Sequence, residues 1–172
     1  MKSETLSEID WSSLSARNGD ASFVMKELAA LYQDPNDTDR FNRLWPELCS
    51  EGTTWSSAYA AAPFILELAR KTDSKPRFTY LYVLSLFRQC EFRHVGSDSH
   101  FHCTDEFRRS YELTLKSALP LLAEISDHDF GSDTSYFLSA IATFKGQIQL
   151  ASCIERIAAE DYKCPECQEL LG

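Results

Sequence analysis

The chain is short of the residues that turn a backbone sharply, with six glycines and six prolines in 172 positions. An all-β fold needs a reversal about every 8–12 residues, so this scarcity argues against one. Long apolar runs are missing too. The longest, FTYLYVLSLF at residues 78–87, falls well below the roughly 18 residues a membrane-spanning helix needs. The opening MKSETLSEIDWSS is polar and acidic and has no leader-type apolar stretch, so the expected compartment is the cytoplasm. Basic charge is in deficit: 17 Lys and Arg stand against 26 Asp and Glu, a net −9. That balance repels phosphate backbones, which disfavours nucleic-acid binding, and it suits a basic polypeptide partner. No G-x-S-x-G, P-loop, H-E-x-x-H or dinucleotide fingerprint occurs, so the expectation is a protein that is not an enzyme.

What the chain does have is core material. Apolar residues make up 44% of it, including 11 Phe, 7 Tyr and 3 Trp, which disfavours disorder and fits one compact domain. The apolar spacing is helical almost throughout. Val24, Leu28 and Leu31 line a helix over 22–32 that follows Asp20, a candidate N-cap. Phe41, Leu44, Trp45 and Leu48 line one over 40–51, after the capping-rich NDTD. Trp55, Tyr59, Ala62, Leu66 and Ala69 mark 54–70. Residues 77–90 are apolar on nearly every side, as a helix covered on both flanks would be; a strand is the alternative there, but it has no partner. Phe107 to Ile125 mark 105–126, Phe137 to Phe144 mark 134–145, and Leu150 to Ala158 mark 147–160. About seven helices and no convincing strand pair emerge: an all-α chain.

Short connections suggest three helical hairpins, 40–51 with 54–70, 77–90 with 105–126, and 134–145 with 147–160, capped by the helix at 22–32. The helices over 54–70 and 105–126 each carry an interior proline in a similar setting, although an interior proline loses a hydrogen bond at a cost of about 3 kcal/mol. AAPFILELA (61–69) and ALPLLAEIS (118–126) align on Pro63 and Pro120, 57 residues apart. A proline recurring in the second helix of successive hairpins reads as a structural repeat, an α–α superhelix in which packing imposes a bend. The repeat domain spans 1–162, and residues 163–172 form a tail.

Chemistry-bearing residues are sparse. Four of the six cysteines read as core or loop thiols. Cys164 and Cys167, in CPEC, have the spacing at which two thiolates can chelate one zinc ion, although a second ligand pair is missing. His94, His100 and His102, with Cys103, sit in the loop-like EFRHVGSDSHFHCT at 91–104 and suggest either an unrecognised catalytic pocket or a solvated loop. Glu47 and Glu51 share a helix face, and Glu67, Glu112, Glu124 and Glu155 fall on the second helices of the three hairpins. These acids can accept hydrogen bonds from Lys or Arg of a partner, with Trp55 and Tyr59 as anchors.

LCSEGTTWSSAYAAAPFILELA (48–69) also resembles a pattern in small bacterial proteins with HEAT-like α–α repeats, carried by Gly52, Thr53, Trp55, Ala58, Tyr59, Ala60, Ala61 and Pro63. Some relatives end in a Cys-Pro-x-Cys tail like the one at 164–167. Such proteins are suspected immunity proteins near secreted-toxin loci. The resemblance implies a binding module that neutralises a toxin by occlusion, with a basic toxin domain as partner and no catalytic residues. The alternatives are an enzyme built on the 91–106 loop, or a zinc- or redox-sensing regulator using the C-terminal cysteines.

Overall fold

Asp37 accepts the amide of Arg40 at 2.9 Å and grips its guanidinium at 3.1 Å, which starts one helix where the NDTD stretch predicts it. Two residues before an earlier helix, Asp20 takes the Ser22 amide at 2.8 Å, and that bonding holds its carboxyl below the usual range. Such local signals recover the helices of the computed structural model, which describes residues 3–50, 52–93 and 103–158. They are α1 (Ser22–Gln33), α2 (Thr38–Leu48), α3 (Ser56–Lys71), α4 (Ser74–Arg93), α5 (Asp105–Ala123), α6 (Thr134–Phe144) and α7 (Ile148–Ala158). Residues 77–90, which could have been a strand, lie inside the 20-residue helix α4. Among the described residues no helix is long and apolar enough to cross a membrane.

Two small strand pairs do occur, contrary to expectation. β1 (Ser15–Ala16) pairs antiparallel with β2 (Gly19–Asp20), and β3 (Cys49–Ser50) pairs with β4 (Thr53–Thr54). Gly19 and Gly52 take positive φ, 128° and 78°, in these tight reversals, a conformation that favours glycine. The ribbons join segments rather than build a sheet. Ser15 donates its amide to Ser56 Oγ at 2.8 Å, and Thr54 Oγ1 donates to the Phe87 carbonyl at 2.9 Å.

The hairpin pairing differs from the expected one in two cases of three. α6 and α7 pair as predicted, but α3 touches α2 only lightly and packs along α4 and α5, while α4 packs along α6. The reason lies in how many sides of each helix are apolar. α2 buries only the stripe Phe41, Leu44 and Leu48. α3 buries every residue from Ser56 to Leu66, then Leu68 and Ala69, so one short partner cannot cover it. α4 runs through the centre and buries Phe78, Tyr80, Leu81, Leu84 and Phe87; the Tyr80 hydroxyl reaches the Pro35 carbonyl at 2.8 Å.

The prolines are not equivalent. Pro63 is buried in the middle of α3, whereas Pro120 is exposed in the last turn of α5. The carbonyl left over by Pro120 is that of Lys116, whose side chain is exposed. Pro63 withholds an amide from the Tyr59 carbonyl inside a buried helix, so its cost falls on the packed part of the molecule.

The N-terminal segment, which has no helical period, also contributes to the core. Leu6, Trp11 and Leu14 are buried, and Trp11 Nε1 donates to the Leu6 carbonyl at 2.9 Å. The rings of Trp11 and Tyr32 lie 6.4 Å and 6.5 Å from that of Phe64 on α3. Phe64→Ala is expected to lower stability by about 3–5 kcal/mol and the melting temperature by roughly 8 °C or more. Circular dichroism melts check it.

Candidate functional site

α3 and α5 lie side by side, and the seam between them opens into a groove. Its first part, a cavity of about 390 Å³, lies where the N-terminal segment meets both helices. The base is Tyr59, Ala60, Pro63 and Phe64, all buried. Half-buried Ile9, Phe107 and Ser110 form the sides, and exposed Glu8, Asp10 and Glu106 form the rim. The second part, about 180 Å³, continues past Pro63 and Ser110 to Leu66, Glu67, Arg70, Leu113 and Thr114. Leu113 is 64% exposed on the outer face of α5, beside Arg108, Arg109 and Lys116. A second apolar stripe is left uncovered on α7, where Leu150 and Ile157 are about half exposed.

The acids expected to meet a partner are largely engaged within the chain. Glu47 accepts from Asn18 Nδ2 at 2.6 Å. Glu67 pairs with Arg70 on its own helix. Glu112 pairs with Arg88 at 3.1 Å, linking α5 to α4, and Glu124 pairs with Arg77 at 2.9 Å. Glu155 lies apart from the others, because α7 packs on α6 and α4 and does not continue the α3–α5 side. It turns inward, and its Oε1 accepts from Gln89 Nε2 at 2.9 Å, Ser139 Oγ at 2.8 Å and the Tyr82 hydroxyl at 3.4 Å. Tyr59 is fully buried, so it supports the groove from below and has no surface to offer as an anchor. Trp55, half-buried, is the residue from which α3 starts. Glu51, Cys164, Cys167, His94, His100 and His102 lie outside the described residues.

A second polar cluster lies under the end of α4. The rings of Tyr59 and Tyr111 meet edge to face at 4.8 Å, with the Glu91 carboxylate close to the Tyr59 hydroxyl. Burial, with the Glu91 carboxylate nearby, pushes both phenols up. Burial also pushes the Cys103 thiol up, against the opposing pull of Arg108. A nucleophilic cysteine needs its thiolate, and a tyrosine acting as a base needs its phenolate; this environment favours the protonated form of each. The cluster therefore favours neither a thiolate nucleophile nor a phenolate base. Cys49 and Cys90 are buried, as core thiols should be, and Cys153 is exposed. Among the described residues no three His, Cys, Asp or Glu side chains gather as a metal site would require.

Sequence reasoning missed Glu8, Asp10, Glu106, Phe107 and Ser110 as groove residues. Their only local signal is that Glu106 and Ser110 share a face of α5, four positions apart. Glu8 and Asp10 join them only because Leu6 and Trp11 dock beneath.

Removing the Glu155 side chain takes the carboxylate acceptor from Gln89 Nε2 and Ser139 Oγ, in fully buried residues, and leaves them only their mutual hydrogen bond at 3.2 Å. Glu155→Ala is expected to cost about 1–3 kcal/mol, and Glu155→Gln clearly less, in urea titrations. Set against protein-family descriptions, characterised proteins and solved structures, the chain matches none.

Proposed function

We propose that this is a protein-binding module of the HEAT-like, immunity-protein type, which neutralises a toxin domain by covering it. The observation that carries this reading is the continuous α3–α5 groove with Leu113, 64% exposed, at its edge. An exposed leucine beside a groove of mixed polarity is the kind of surface from which interface cores are built. The pattern of contacts agrees with it. α3 along α5 and α4 along α6 make one step of the alternation that stacked α–α pairs produce, a step that α7 does not extend, and such stacks bind polypeptides along one side. The resemblance at 48–69 falls on α3, the helix that forms the groove's base. A cytoplasmic setting fits an inhibitor that protects the cell making the toxin.

The partner's charge follows from what the fold leaves unused. Most of the acids first assigned to the interface are committed to internal contacts, so the groove rim is where acidic side chains remain to meet a basic surface. Residues 1–51 hold 10 acids and 5 bases, and Glu8, Ile9 and Asp10 of that stretch line the groove.

The test pairs the chain with a secreted toxin domain encoded beside it. The expected outcome is a one-to-one complex by titration calorimetry and protection of growth on co-expression. Leu113→Glu should weaken the complex at least about tenfold, as loss of an interface anchor does, with an unchanged melt. The absence of any complex with every such neighbour overturns the reading.

A further inference from the structure

The chemistry of the 390 Å³ cavity is lopsided. Its base is largely apolar, lined by Tyr59, Ala60, Pro63 and Phe64. Its rim holds three carboxyl groups, and no Lys or Arg stands among its described lining residues. Glu8 and Glu106 have no ion-pair partner among the described residues, and Asp10 receives only the Ser12 hydroxyl, at 2.6 Å. Three unneutralised acids around one apolar hollow contrast with the rest of the groove, where Glu67 is paired with Arg70, and with the outer face of α5, where Arg108, Arg109 and Lys116 lie beside Asp105 and Glu112.

We propose that this cavity is a socket for one arginine- or lysine-bearing apolar segment of the partner polypeptide. This rests on the binding-module reading and names the part of the partner that enters. Charge complementarity selects the occupant. A long basic side chain lays its methylene stem on apolar surface and keeps its charged head at the margin. The aromatic and proline base takes the stem, and Glu8, Asp10 and Glu106 take the head. A guanidinium suits the site best, because its forked donors can engage two carboxylates at once. An acidic segment is rejected by the same rim. The cavity's size lies within the range of about 300–1,000 Å³ typical of small-ligand pockets, which admits one or two side chains and not a helix. The rest of the partner would then lie along the groove toward Leu113.

The experiment uses the full chain and two synthetic peptides of equal length, one alternating Arg with Leu and Trp, the other with each Arg replaced by Glu. Benzylamine serves as a small cationic amphiphile. Fluorescence anisotropy gives affinity, and amide NMR shifts locate the site. The basic peptide should bind, shift the Phe107 and Ser110 amides, and weaken in high salt; the acidic peptide should not bind. Neutralising the rim with Glu8→Gln, Asp10→Asn and Glu106→Gln should weaken it about tenfold, as three exposed charge contacts together can. Ser110→Trp, which fills the hollow, should abolish it. Melts of both variants confirm folding, and Glu106→Gln alone, the mildest change, serves if the triple variant unfolds.

The proposal is overturned if the basic peptide fails to bind, binds the rim-neutral variant equally well, or shifts amides elsewhere. It is overturned too if benzylamine saturates the site as tightly as the peptide, which would make it a small-molecule site. The two readings fail separately. If a toxin complex forms, is lost with Leu113→Glu and survives rim neutralisation, the socket is wrong and the binding module stands. If no toxin complex forms, the binding module falls, whatever the peptides do.

Discussion

A helix that is apolar on every side must be covered on every side, and α3 imposes that constraint on the whole chain. From Ser56 to Leu66 it offers no residue to water. One antiparallel neighbour covers only about a third of a helix's circumference, so α3 recruits α4 and α5 along its length, α1 at one flank and the Leu6–Trp11 segment beyond it. α4, similarly enclosed, then needs α6 in addition. The order of packing thus follows from how much of the surface of α3 and α4 is apolar, more than from the lengths of the loops between them.

Legibility in the sequence followed the range of the interactions. Each α-helix was readable because its signals are local: the Asp37 cap, the 3.6-residue spacing of Phe41, Leu44 and Leu48, and the unbroken apolar character of 77–90. The pairing of helices was less readable. A short connection between α2 and α3 suggests a hairpin, yet the number of apolar sides decided their neighbours. The two-residue ribbons at Gly19 and Gly52 were invisible because strands that short have no period. The match between Pro63 and Pro120 misled in its detail, because local alignment of two Ala- and Leu-rich stretches says nothing of where each helix ends.

The candidate site was less legible than the fold. Acidic side chains were recognisable as such, but not their commitments. Arg77, Arg88 and Arg70 claim Glu124, Glu112 and Glu67, and the half-buried Glu155 accepts from three donors on α4 and α6. Glu67 and Arg70 are three positions apart and could be paired on paper. The others join residues 16 to 73 positions apart, and nothing local announces them. What is left at a surface is what the interior has not used, which is why the rim of the groove was found only with the fold in hand.

One wall of that groove has a consequence for synthesis. Residues 6–11 are made about a hundred residues before Glu106 to Ser110, the opposite side of the hollow, and Trp11 rests on Phe64. The recess therefore cannot exist on a nascent chain until more than a hundred residues have been made. An incomplete product presents no recess, so this surface belongs only to molecules whose distant parts have already met.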